Sequence, residues 1–413
     1  MRPPANAASG QPASFFRQPK SVWATAFAAM VGFMSIGLVD PILTSIAKGL
    51  DATPAEVSLL FTSYFAVTSI MMLITGFVSS RIGGRATLLV GAALIVVFAA
   101  LSGTANSIPA LVGYRAGWGL GNALFVATAL SVIVAAASGG SYLAILLYEA
   151  ALGLGISLGP LLGAALGALS WRYPFYGTST LMAIGFIAVA VFLPFQPRPQ
   201  RTTGILDPIR ALGNPGLLTT AVAAFFYNYA FFTVLAFAPF VLLMSPHAIG
   251  LIFCGWGILL AVFSVLVAPR LQERFSGVTL AGTCLMLFAI LLLVVAFGAK
   301  PWVVAAVVLS GALMGVNNTV FTEMALEVSS APRPVASAGY NFVRWFAGVI
   351  APYAAPKIAE MAGPETTFVV SAVAAVLATV ILVGRRGTLG RFAGHNAAPP
   401  TAIEIAEGET AAD

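Results

Sequence analysis

Charge is scarce in this 413-residue chain. Asp, Glu, Lys and Arg together make up 8% of it, where soluble domains carry about 25%, so a water-solvated globular surface is excluded. Cysteine is nearly absent as well. Cys254 and Cys284 both fall inside apolar runs, which leaves no disulfide framework and no metal site to expect; both read as small packing residues. With only two histidines there is no H-E-x-x-H or paired-His arrangement, and no G-x-x-x-x-G-K-[ST] phosphate loop occurs. Neither an enzyme nor an ATP-driven pump is expected, and no cofactor is called for.

What fills the chain instead is apolar: 59% of residues are hydrophobic and the mean hydropathy is +0.97. The runs are about 20 residues or longer, enough for helices to cross a hydrocarbon core and too long and unalternating for barrel strands. The chain is therefore expected to be an all-α integral membrane protein. Spans fall at about 22–48, 55–79, 87–104, 108–134, 141–167 and 172–195, then 215–243, 248–268, 278–298, 302–327, 336–358 and 366–384, twelve in all. The first run is too long for a signal-peptide core and is expected to stay as the first helix. The expected organisation is a tail over 1–20, a six-helix bundle over 21–195, a polar linker over 196–214, a second bundle over 215–385 and a tail over 386–413.

Basic residues set the orientation, because they are retained on the cytoplasmic side. With both termini inside, the outer connections hold Lys48, Arg172, Lys300 and Lys357, Arg115 and Arg344 lie within spans, and the rest of the 20 Lys and Arg lie inside. The net charge of +6 is then topological bias beside an anionic leaflet, and no nucleic-acid partner is needed.

The halves repeat one another, as expected of secondary transporters. DPIL at Asp40 corresponds to APFVL at Ala238, SSRIGG at Ser79 to QERFSG at Gln272, GNALF at Gly121 to NNTVF at Asn317, and Gly159-Pro160 to Ala351-Pro352. The order is kept and the offset stays nearly constant.

Three motifs carry a family resemblance. The loop after span two reads GFVSSRIGGR and contributes Gly76, Ser80, Arg81, Gly83 and Arg85. Span four reads RAGWGLGNA from Arg115. Span five reads GISLGPLLGA and contributes Gly155, Gly159, Pro160 and Gly163, with WRYPF following at Trp171. In these motifs, over residues 20–386, the chain resembles the major facilitator superfamily, specifically its twelve-helix drug:proton antiporter branch. The resemblance implies two pseudo-symmetric six-helix bundles, alternating access, and, from the span-five motif, export in exchange for protons. Where the family places an aspartate in its first motif this chain has Ser80, and the carboxylate often found near the inner end of span four is missing. A substitute latch is expected from Glu273, Arg274, Glu327 and Arg333, with Ser80 capping span eleven and Glu323 as a gate residue; ordinary interfacial charges are the alternative reading.

A charge in mid-bilayer costs roughly 2.5–3.5 kcal/mol on insertion scales, so such residues face a cavity or a partner. Asp40 and Glu149 are the proton-carrier candidates, with Arg115 beside them. Two readings stay open for each: Asp40 carries a proton or satisfies groups freed by Pro41, Glu149 carries a proton or pairs with Arg115, and Arg115 tunes the carrier or holds the first bundle together. Substrate-cavity candidates are Asn122 in span four, Tyr227, Asn228 and Tyr229 in span seven, Asn317 and Asn318 in span ten, and Tyr340, Asn341 and Arg344 in span eleven. Rings interleaved with polar groups suit an amphipathic or cationic compound. A metabolite transporter of the same fold (sugar, amino acid, siderophore or lipid) is the alternative, and a non-transporting membrane protein the next. The glycines of span five are expected to pack against a helix of the other half, with Glu149 one strip away. The protein is expected to act as a monomer in the cytoplasmic membrane, exchanging a small molecule against protons.

Overall fold

The computed structural model describes residues 18–137, 141–195 and 203–393. The described residues are helical almost throughout and contain no strand. Helix α1 (Lys20–Gly37) and the short α2 (Leu43–Gly49) form the first span, followed by α3 (Pro54–Ile82), α4 (Gly84–Thr104), α5 (Ile108–Ala136), α6 (Ser141–Gly167) and α7 (Tyr173–Phe192). A five-residue helix α8 (Asp207–Ala211) leads to α9 (Pro215–Leu242), α10 (Pro246–Val262), the short α11 (Ala268–Gln272), α12 (Gly277–Phe297), α13 (Lys300–Glu327), α14 (Arg333–Ala362) and α15 (Pro364–Gly384).

Helix starts follow from local chemistry. Thr53, Ser107, Asn214, Ser245 and Ser276 each place a side-chain oxygen on an orphan N–H of the first turn, and proline stands in the first turn of α3, α5, α9 and α10, where its missing donor costs nothing. The tight links α3–α4 and α14–α15 both turn on a glycine at φ 90°, Gly83 and Gly363, a conformation that side chains with a Cβ resist.

Eleven helices among the described residues are long and apolar enough to cross a membrane. The twelfth crossing is α14, which is 30 residues long but carries Asn341, Arg344, Lys357 and Glu360 and so falls below the hydropathy of the rest. It is held by protein contacts on α3, α9 and α15, in keeping with polar membrane segments facing the bundle interior.

Helices α1 to α7 pack among themselves, as do α9 to α15, and the two sets meet mainly through two pairs, α3 with α14 and α6 with α10. The first pair joins by a hydrogen bond from Thr62 Oγ1 to the Val349 carbonyl (3.0 Å) and by the rings of Phe65 and Trp345, 5.5 Å apart centroid to centroid, with Phe232 of α9 4.4 Å from Phe65. The second pair joins by small residues. A Cβ on Gly257 would sit 2.9 Å from Ser157 Cα, and one on Gly250 2.9 Å from the Pro160 carbonyl oxygen, so α6 and α10 approach backbone to backbone.

This corrects the expected role of the span-five glycines. Gly155, Gly159 and Gly163 face the carbonyls of Met30, Met34 and Leu38 in the first span, within the same half. The face that meets the other half is the neighbouring strip of Gly153, Ser157, Pro160 and Ala164. The physical reason lies in the partner: α10 brings its own glycines, so α6 needs no glycine seam there.

Candidate functional site

The first span breaks in the middle. Pro41 cannot donate to the Gly37 carbonyl, α1 ends at Gly37, and residues Asp40–Ile42 form one 3₁₀ turn before α2 resumes. The Pro160 ring packs on the break, its Cδ 2.9 Å from where a Cβ of Gly37 would stand. Asp40 is held in this turn, fully buried, and neither carboxylate oxygen has a hydrogen-bond partner.

Beside it lies Arg115 of α5, also fully buried. Its guanidinium is 4.4 Å from the Tyr64 ring and 4.7 Å from the Trp118 ring, and Nε and Nη1 lack hydrogen-bond partners. The charge is thus supported by two π faces, each worth ~0.5–2 kcal/mol, and by the field of Asp40. Tyr64 is itself positioned by a 3.1 Å hydrogen bond with Ser35 of α1. The Asp40 carboxylate and the Arg115 guanidinium sense one another without a contact ion pair: a separated pair, each with unused hydrogen-bonding capacity.

Between the halves the structure forms a cavity. From the first half its wall takes Phe33, Ile36, Gly37, Asp40, Leu152, Ile156 and Pro160; from the second, Tyr227, Asn228, Phe231, Phe232, Leu235, Phe253, Trp256, Leu260, Met314, Asn318, Arg344 and Trp345. Arg344 Nη1 donates to Asn318 Oδ1 (2.9 Å) and to the Tyr340 hydroxyl (3.3 Å), and its guanidinium lies 5.4 and 5.8 Å from the Tyr340 and Trp345 rings. Trp256 is fixed by Nε1 donating to Ser310 Oγ at 3.1 Å. Aromatic walls with a few placed polar groups are the usual make-up of a small-molecule site.

Of the sequence candidates, Asp40, Tyr227, Asn228, Asn318 and Arg344 line this cavity, and Tyr340 supports it from behind. Tyr229, Asn341, Asn122 and Asn317 do not line it. Asn341 Nδ2 donates to Ser337 Oγ. Asn122 and Asn317 are fully buried within α5 and α13, and neither amide has a hydrogen-bond partner. The side chain of Glu149 lies outside the described residues. Sequence reasoning passed over Phe33, Phe253, Trp256 and Trp345; an isolated ring in an apolar helix looks the same whether it faces lipid or a cavity, and only the glycines around Trp256 marked that face.

The loop motifs settle elsewhere. Ser80 Oγ accepts the Thr203 N–H (3.4 Å) and donates to the Phe77 carbonyl. Ser80 therefore tethers the linker, and α14 starts at Pro332 without a side-chain cap, which corrects the expected cap of span eleven. Gly76 faces Thr203 on the same strip, the Arg81 guanidinium lies 3.8 Å from the centroid of the Phe77 ring, and Arg85 Nη2 donates to the Ala190 carbonyl. In the expected latch, Glu323 accepts a hydrogen bond from Gln272, Glu327 is half-buried, and Glu273, Arg274 and Arg333 are exposed. Residues 155–159 also have the G-x-S-x-G spacing of a hydrolase elbow, which needs a strand-to-helix turn. Here the segment is continuous helix, and Ser157 Oγ donates to the Gly153 carbonyl (2.8 Å). On the opposite end of the bundle, Arg172 binds the carbonyls of Gly103 and Ala105 and the side chain of Asn106, and stacks on Trp171.

A family model described as Major Facilitator Superfamily matches residues 25–244 and 220–404. The chain is 46% identical over 388 residues to the multidrug efflux protein YfmO of Bacillus subtilis (strain 168), covering 93% of this chain and 98% of that one. It is 28% identical over 181 residues to the putative multidrug resistance protein MdtD of Salmonella typhi, covering 42% of this chain and 37% of that relative. Among solved structures it superposes on a D-xylose–proton symporter with a TM-score of 0.74 at 16% identity, covering 92% of this chain and 99% of the other. On a bacterial homologue of the human lysosomal transporter Spinster, captured inward-facing, the TM-score is 0.75 at 15% identity, covering 91% and 98%. The twelve-helix architecture, the cavity between its halves and these matches together make this chain a member of the major facilitator superfamily.

Proposed function

We propose that the protein is a proton-coupled exporter of small amphipathic, drug-like compounds that works by alternating access in the cytoplasmic membrane. Residues 21–195 and 215–385 act as the two rocking bodies and 196–214 as their cytoplasmic link, with both termini inside and the monomer as the working unit. One observation carries the reading: a fully buried carboxylate without a hydrogen-bond partner, Asp40, stands in the wall of an aromatic cavity between the two sets of helices. Such a group alternates between a proton and a cationic partner as access switches sides. A relative of near-equal length bearing a multidrug efflux name supports export of drug-like compounds.

Asp40 loads a proton from the outer side, which releases the compound, and loses it inside, which readies the site for the next. The driving force suffices: about 2.3 kcal/mol per charge per 100 mV sustains roughly fifty-fold accumulation at tight coupling. Arg115 acts as a positioning residue behind Asp40, through the field that it projects on the carboxylate.

The test is proton flux in reconstituted vesicles. With an imposed pH gradient, adding a lipophilic aromatic amine is expected to dissipate the gradient in proportion to uptake. Failure of every compound in a panel of such amines, zwitterions and neutral metabolites to do so overturns the reading. Labelling of single cysteines placed at Arg81 and Lys300 tests the orientation, and outer accessibility of position 81 contradicts it.

A further inference from the structure

Phe65 of α3 is buried but is not part of the cavity wall. It backs two rings that are: Phe232 of α9, 4.4 Å away between centroids, and Trp345 of α14, at 5.5 Å. The floor of its seat is Gly348, where an added Cβ would stand 2.7 Å from Phe65 Cδ2 and 3.0 Å from Phe232 Cε2. The missing side chain makes the space that the ring fills, so a first-half side chain sits in a slot of the second half. Its neighbour Tyr64 is fastened the other way. The Tyr64 hydroxyl shares a 3.1 Å hydrogen bond with Ser35 of α1, its carbonyl lies against Gly119 of α5, and Thr68 Oγ1, one turn on, donates to the Gly119 carbonyl at 3.1 Å. Successive helical residues point about 100° apart, so α3 is clamped to its own bundle on one side while Phe65 reaches across on another.

We infer that Phe65 is a positioning residue that makes the affinity of the cavity depend on which side is open: seated, it holds Phe232 and Trp345 as a binding wall, and when α3 and α14 part it leaves the slot and the wall relaxes. The inference rests on the exporter reading for the presence of a compound against those rings, and adds the device that lets it go. When the halves rock as bodies, Phe65 travels with the first, and the Thr62–Val349 hydrogen bond one turn towards Pro54 parts with it. A ring packed inside a single bundle is not unseated by that motion. The Pro54 end of α3 is the outer end in the proposed topology, so the compound is held firmly while that end is shut and loosely once it opens. Linkage makes the effect reciprocal: a compound bound against Phe232 and Trp345 favours the seated ring. The ring acts on the compound through these two side chains, without touching it.

The test uses the full-length protein in detergent, with no gradient, carrying Thr62→Cys as reporter together with Cys254→Ala and Cys284→Ala. The rate of labelling by a polar maleimide reads the opening between α3 and α14. Phe65→Ala is expected to label about tenfold faster, because the buried ring no longer favours the shut state. Gly348→Ala, which crowds the slot from the other half, is expected to label faster as well, and the double variant no faster than Phe65→Ala alone, since the truncated side chain leaves room for the added methyl. Saturating 9-aminoacridine is expected to slow labelling of the reporter protein about fivefold or more, and to lose most of that effect in Phe65→Ala. Gly348→Ala carries the same comparison where Phe65→Ala does not fold. Unchanged labelling in these variants overturns the inference, as does an effect of 9-aminoacridine that is equal with and without the seated ring. Faster labelling of the variants alongside absent proton flux refutes the exporter reading alone; proton flux driven by 9-aminoacridine with unchanged labelling refutes this inference alone.

Discussion

A Cβ on Gly159 would lie 2.6 Å from the carbonyl oxygen of Met34, so α6 and α1 meet there without any side chain between them. Gly159→Val forces the two helices apart beside the break at Asp40. Overpacking of this kind costs ~1–3 kcal/mol, and thermal unfolding in detergent, followed by tryptophan fluorescence, is expected to shift down by several degrees. An unchanged unfolding temperature contradicts the packing described for this pair.

The contact between α6 and α10 has a different consequence. Gly257 sits 2.9 Å, measured from an added Cβ, from the Ser157 backbone, at the boundary between the two sets of helices rather than inside one of them. Gly257→Val is therefore expected to leave unfolding within a few degrees of the unmodified protein while transport falls by at least about tenfold, since a shift of ~1.4 kcal/mol between conformations already gives that factor. A large loss of stability with normal transport by the remaining protein reverses the assignment of this surface.

Arg115 depends on shape as well as charge. Its guanidinium lies between the Tyr64 and Trp118 rings at 4.4 and 4.7 Å, a stacking that an ammonium does not reproduce. Arg115→Lys is expected to destabilise by ~1–2 kcal/mol, and Tyr64→Leu to cost less in that background than in the unmodified protein, because the shared stacking is then lost only once. Full additivity in that double-mutant cycle, read by thermal unfolding, removes the cation–π account.

The sequence reached the scaffold because hydrophobic length is a property of each segment alone. A run expected over 278–298 is α12, Gly277–Phe297, and one expected over 302–327 is α13, Lys300–Glu327. It reached Asp40, Asn228, Asn318 and Arg344 because polar groups in apolar helices carry a cost that marks them. What it did not reach was rotational setting. The strip containing Gly153 and Pro160 and the seam of Gly155 and Gly159 differ by a fraction of a helical turn, and only the positions of α1 and α10 decide which strip meets which neighbour. Ser80 was misplaced for a related reason: its partner, the Thr203 N–H, lies 123 residues away in a linker with no pattern of its own.

If Asp40 is the group exchanging a proton for the exported compound, Asp40→Asn and the unmodified protein differ in vesicles. Asparagine keeps the size of the side chain and cannot take up the transported proton. The expected result is that uphill, pH-driven transport of the aromatic amine and the matching proton flux both vanish, while exchange of amine against amine at equal pH continues. Undiminished uphill transport by Asp40→Asn contradicts the account.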